Sequence, residues 1–206
     1  MHADIRRFGS SAALVELPDS AAAHALHALL TAQPPAGVLE LVPAARTVLV
    51  RYDPRATNFT TLREHLDQHA PPPGMRAPAT TVEVPVRYDG PDLGEVAELT
   101  GLAAAEVVRR HLGGEYTVSF CGFAPGFAYV TGLDPALRVP RRETSRTRVP
   151  AGAVAIADEF VGIYPRSSPG GWRLLGQTDL VLWDTARARP GLLTAGTRVR
   201  FREVAA

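Results

Sequence analysis

Lysine is absent from this chain of 206 residues: all 22 of its positive side chains are arginine. That excludes Schiff-base chemistry, a P-loop lysine and any Ser-Lys nucleophile pair supplied by this chain. A single cysteine, Cys121, excludes an internal disulfide and a cysteine-rich zinc site. No apolar run approaches the roughly 20 residues that cross a bilayer, and the opening MHADIRRFGS, with an acid and two arginines, is unlike a secretory signal. A formal charge of +1 offers no general attraction to nucleic acid or membrane. GxSxG, GxxxxGK and GxGxxG are missing as well. What remains is a soluble, cytoplasmic chain, 46% hydrophobic and 21% charged, able to bury a substantial core.

The most obvious punctuation is PPPGMRAP, residues 71–78, where four prolines and a glycine can continue neither a helix nor a central strand. It predicts two domains, residues 1–78 and 79–206. In the first, short β-compatible runs at residues 5–8 and 12–17 flank Gly9-Ser10, a hairpin turn. Asp19 or Ser20 caps a helix that Pro34-Pro35 stops. A second hairpin, residues 38–52, precedes a helix capped by Thr57 or Asn58, giving a small α+β sheet with helices on one face. The second domain begins with a valine-alternating strand from Thr81, then two short helices separated by Gly101. EYTVSF, VPAGAVAIA, FVGIYP, WRLLGQ, LVLW and TRVRFREV follow as short strands, which predicts a barrel or sandwich.

The candidate chemistry is uneven. His24 with His27, and His65 with His69, sit at helical spacing without HExxH or a third ligand, so polar-face histidine is the preferred account. His111 ends a helix, where capping and a role as base are equally open. Cys121 reads as a small buried hydrophobe. RVPRRETSRTR, residues 138–148, holds five arginines and one acid, Glu143. It is either an anion clamp, because guanidinium forks suit carboxylates and phosphates, or a solvated loop paired with acids elsewhere. Two glycine-proline segments flank it. GFAPGFAYVTGLD, residues 122–134, carries Phe123, Phe127 and Tyr129, and SSPGGW, residues 167–172, carries two hydroxyls, paired glycines and an indole. Amides at glycine can approach a ligand while aromatics exclude water; the alternative is two tight barrel turns with core aromatics.

Across some sixty residues these segments run in a fixed order: GFAPGFAYVTGLD, PRRETSRTRVPAGAVAIA, GIYPRSSPGGWRLLGQT and LVLWD. In this the chain resembles the family that contains the B subunit of 5-oxoprolinase, the sporulation kinase inhibitor KipI and allophanate hydrolase subunit 1. The resemblance implies an α+β N-terminal domain followed by a mainly-β cyclophilin-like barrel. It implies a hydrolase component that works beside a homologous second subunit, and a third, on a small amide. The first expectation is ATP-dependent opening of 5-oxoproline to glutamate, with ATP as co-substrate at this chain or its partner. The alternatives are a KipI-like kinase inhibitor and a component of an allophanate hydrolase or urea amidolyase.

Carried over from the motif are Gly122, Phe123, Pro125, Gly126, Phe127, Tyr129, Pro140, Arg141, Arg142, Arg146, Pro150, Gly152, Ser168, Pro169, Gly170, Gly171 and Trp172. Arg142 and Arg146 would hold anionic groups with Arg141, His111 would serve as base, Gly170 and Gly171 would cradle an oxyanion, and Phe127, Tyr129 and Trp172 would wall the pocket. The chain departs from the family pattern at Ser145, where proline is usual, at Phe160 and Val161, which replace an amide and a hydroxyl, and at Gln177, which replaces an arginine.

Overall fold

The computed structural model describes residues 3–68 and 80–205. The chain forms two compact units, Met1–Ala79 and Thr80–Ala206. His69 and the proline-rich segment 71–78 lie outside the described residues.

In the first unit, β1 (Asp4–Phe8) turns at Gly9, whose φ of +63° is left-handed, into β2 (Ala12–Glu16). The Asp19 carboxylate accepts the Ala22 amide at 2.8 Å and starts α1 (Ser20–Ala32). Ala23, Leu26 and Leu30 fall on one face of that helix and are buried. The hairpin β3 (Val38–Pro43) and β4 (Thr47–Tyr52) leads to α2 (Phe59–Gln68), where the Asn58 side chain accepts the Thr61 amide at 3.1 Å. The antiparallel order is β1-β2-β4-β3. Val15, Val48 and Val50 pack with Leu26, Leu30, Leu62 and Leu66 into one core.

The second unit opens with β5 (Thr81–Val86). Two helices follow, α3 (Leu93–Thr100) and α4 (Ala104–Leu112), with Gly101 at φ +69° ending the first. The remaining strands are β6 (Tyr116–Cys121), β7 (Ala128–Thr131), β8 (Arg146–Val149), β9 (Ala153–Ala157), β10 (Phe160–Ile163), β11 (Ser168–Gly170), β12 (Arg173–Gln177) and β13 (Arg198–Glu203). Seven form a mixed sheet, β12-β9-β10-β7-β6-β13-β5, in which β13 and β5 run parallel; β8 and β11 form a separate ribbon.

The ends of the seven-stranded sheet meet just past β5. Arg87 N–H donates to Gln177 C=O at 2.9 Å and Gln177 N–H to Arg87 C=O at 2.8 Å, and the amides of Gly90 and Asp92 then donate to the carbonyls of Leu175 and Leu174. The sheet is thereby nearly closed into a barrel. A side chain at Gly176 would lie 2.1 Å from the Arg87 carbonyl, so this approach requires glycine.

Three expectations from the sequence change. The aromatic segment after Cys121 holds strand β7, because tight turns at residues 122–127 send the chain back antiparallel to β6. The arginine run holds β8, paired to β11. LVLW alternates like a strand but makes only a bridge, Trp183 to Gly191. The chain facing it carries Pro190, which has no N–H to extend a ladder.

Candidate functional site

The turn joining β6 to β7 presents Phe123 to solvent, 62% exposed, from a left-handed backbone with φ +66°. An aromatic residue in that region is strained, and such strain concentrates where ligands or partners bind. Behind it Phe127 is buried and meets Phe123, Tyr129, Tyr164 and Trp172 edge-on, with ring centroids between 5.2 and 5.5 Å. Phe120 stacks on Tyr129 at 4.3 Å. The group closes tightly because two glycines leave room: a Cβ at Gly162 would come within 2.8 Å of Phe127 and Trp172, and one at Gly170 within 2.2 Å of the Tyr164 hydroxyl. Burial pushes the Tyr164 phenol above its ordinary range, against the pull of a Trp172 backbone hydrogen bond and the positive Arg141 and Arg146.

The arginine loop lies beside this wall. Its backbone is tied down where Arg142 N–H donates to Gly171 C=O at 2.8 Å and where Arg146 pairs with Gly170 across the β8–β11 ribbon. Arg146 reaches Asp92 Oδ1 at 2.5 Å, and Arg142 reaches the same oxygen at 3.2 Å and Glu95 at 3.0 Å. Arg173, from β12, pairs with the other oxygen of Glu95. Asp92 is only 2% exposed. Three guanidinium groups therefore share two carboxylates, an excess of one positive charge. Among the described residues, Nε of Arg142, Nη1 of Arg146 and Oγ of Ser168 are buried and meet no hydrogen-bond partner. Arg141 is exposed, with no ion pair among the described residues, and its guanidinium lies near Gly171.

Phe123, Phe127, Tyr129, Trp172, Arg141, Arg142, Arg146, Gly170 and Gly171 thus gather into one region. Pro125 and Gly126 shape the β6–β7 turn, Gly126 at φ +83° against Trp183, and Ser168 and Pro169 belong to β11. His111 is not brought to this group. It is fully buried in the barrel's main core, where the Tyr88 hydroxyl meets its Nδ1 at 2.7 Å and Tyr116 and Phe201 pack on its ring. Desolvation pushes its pKa down to about 3. Cys121, read from sequence as buried, is exposed at the end of β6, its thiol facing the Leu193 carbonyl at 3.4 Å.

Of the departures from the family motif, Phe160 joins the wall edge-on to Phe120 and Tyr129. Gln177 closes the barrel. Ser145 stands where a Gly171 Cβ would come within 2.8 Å of its hydroxyl. Sequence reasoning missed Asp92, Glu95 and Arg173. PDLGE reads only as a helix start; the available signal was a run of arginines needing acids, and spacing cannot name acids fifty residues away.

A nearly closed mixed barrel carrying an aromatic wall and an arginine loop defines a recognisable class. Residues 3–193 match the carboxyltransferase domain, subdomain C and D, and the chain belongs to that family. Among its relatives, the B subunit of 5-oxoprolinase from Bacillus subtilis (strain 168) is 34% identical over 223 residues, spanning 96% of this chain and 91% of the relative. The crystal structure of TTHA0988 superposes with a TM-score of 0.81 at 40% identity; 95% of this chain is covered, and it spans 40% of that longer chain. The Kluyveromyces lactis urea amidolyase matches at a TM-score of 0.73 and 21% identity over 98% of this chain and 15% of that one, a likeness of fold alone.

Proposed function

We propose that the chain is the B subunit of an ATP-dependent 5-oxoprolinase, a heteromeric hydrolase that opens 5-oxo-L-proline to L-glutamate. The observation that carries this reading is the end-to-end similarity to the B subunit of a 5-oxoprolinase, 34% identity across 96% of this chain. The barrel, of cyclophilin-like kind, would supply one wall of the site and further subunits the rest. A lactam is a poor electrophile, so transfer of the γ-phosphoryl group from ATP to the lactam carbonyl oxygen, with ADP as the leaving group, is a sensible activation. Water then adds at the former carbonyl carbon, the C–N bond breaks as the nitrogen takes a proton and leaves as the amine, and a second water cleaves the resulting acyl phosphate to glutamate and inorganic phosphate.

Such chemistry needs a cation for the substrate carboxylate and a surface that keeps out stray water. In this proposal Arg141 meets the carboxylate, the charge excess of the Arg142–Arg146–Arg173 group supports it, the amides of Gly170 and Gly171 face the developing oxyanion, and Phe123, Phe127, Tyr129 and Trp172 form the apolar side. His111, sealed in the core, serves packing, and the general base comes from a partner subunit. ATP phosphates fall mainly to the partner, because Arg142 and Arg146 are already engaged by Asp92 and Glu95.

The test is 5-oxoproline-dependent ADP release by the chain alone and mixed with its companion subunits. Activity in the mixture only, with glutamate formed in step with ADP, is the expected result. Within that mixture, Arg141→Gln raises the KM for 5-oxoproline about tenfold, the value of one charge-assisted contact. An assembled mixture that turns over no 5-oxoproline removes the proposal.

A further inference from the structure

Asp92 precedes the first residue of α3, the usual place for a helix-capping side chain, yet its carboxylate makes no cap hydrogen bond to that helix. Each of its oxygens is used elsewhere. Oδ2 accepts the Leu174 amide at 2.7 Å while the Asp92 amide donates to the Leu174 carbonyl at 3.1 Å, so the side chain stands in for a strand carbonyl and adds a rung beside the barrel closure. Oδ1 takes Arg146 at 2.5 Å and Arg142 at 3.2 Å. The carboxylate is 3% exposed, and so little water competes for it. One buried group thus ties the arginine loop to the barrel frame.

We propose that Asp92 is the positioning residue of the site: it fixes Arg142 and Arg146 so that the loop bearing Arg141, and the Gly171 carbonyl bonded to the Arg142 amide, present one geometry to the substrate. Its kinetic consequence rests on the proposed function; its structural consequence does not. Only a carboxylate satisfies the position, because acceptors are required on both oxygens. In Asp92→Asn, the amide oxygen keeps the Leu174 bond and the NH2 group is turned toward two guanidinium donors. That substitution releases Arg146, while Arg142 keeps Glu95 at 3.0 Å and the barrel rung is spared.

The experiment is made on the assembled complex and on the isolated chain. Asp92→Asn lowers kcat/KM for 5-oxoproline at least tenfold, chiefly through KM. In the double variant Asp92→Asn/Arg146→Gln, the further loss relative to Arg146→Gln alone is under about twofold, because both changes remove the Asp92–Arg146 contact while Glu95 still holds Arg142. A merely structural role predicts instead independent losses in kcat/KM that track the melting temperature. Should Asp92→Asn fail to fold, Glu95→Gln on the solvent side of the same network replaces it, with a loss in kcat/KM of at least threefold expected. In the isolated chain, nitrogen NMR of the arginine side chains shows Arg146 rotationally hindered in the wild type and freed in Asp92→Asn, while Arg142 stays held by Glu95; this readout stands even if 5-oxoproline proves not to be the substrate. Wild-type kinetics in Asp92→Asn, or unchanged guanidinium signals, overturns the proposal.

Discussion

His111 shows how completely a fold decides what one side chain can do. At the end of α4 it looks equally suited to capping and to catalysis; in the barrel core it meets a tyrosine hydroxyl and two aromatic rings and is sealed from solvent. Its pKa of about 3 lies below the unfolded value near 6.5, so the unfolded chain binds the extra proton between those pH values. Stability from this group is fully present above pH 6.5 and is lost as pH falls toward the folded pKa. Denaturant unfolding should therefore show a loss of roughly 2 kcal/mol between pH 6.5 and pH 5, and that part of the slope should vanish in His111→Phe. An unchanged slope would mean that the histidine is already hydrated in the folded state. Tyr88 and Tyr116 around it, pushed upward by burial, remain neutral throughout.

Between elements, the decisive contacts are those at which backbone meets backbone. Gly176→Ala sets a methyl 2.1 Å from the Arg87 carbonyl, and should destabilise the second unit by about 3 kcal/mol in chemical denaturation. Gly94→Ala, whose Cβ would meet nothing within 4 Å, is the matched control expected to cost little. The strands of the barrel are legible because valine alternation and Gly-Pro punctuation are local signals: VPAGAVAIA and FVGIYP form β9 and β10. β8 and β11 are not legible, since arginine, threonine and glycine carry no period, and the ribbon exists only because the two segments find each other. The site divides the same way. Aromatics and arginines announce themselves in sequence, whereas Asp92 and Glu95 become partners of those arginines only in three dimensions.

At the scale of the molecule, each unit has a core of its own: one built on Val15, Val48, Val50 and two helices, the other filling the barrel around Val118, Val130 and Ile156. A chain limited to residues 80–206 is expected to fold alone and to unfold cooperatively, as followed by near-ultraviolet circular dichroism from its tryptophans; a non-cooperative melt would show that the second core depends on the first unit. The second unit keeps large apolar side chains outside at Leu99, Phe123, Val181 and Trp183, of which Phe123 belongs to the aromatic group of the site.

The junction at Arg87 and Gln177 has a meaning beyond stability. An open sheet of seven strands would offer two unpaired edges, β5 and β12, each a ready template for a strand from another molecule. Closure pairs the β12 edge with the chain just past β5, and it does so through reciprocal bonds between Arg87 and Gln177 with a short continuation beyond them. When that junction parts, the β12 edge is bared along its length. The threshold between a self-contained barrel and a chain prone to strand-by-strand filament growth is therefore set at a single narrow seam.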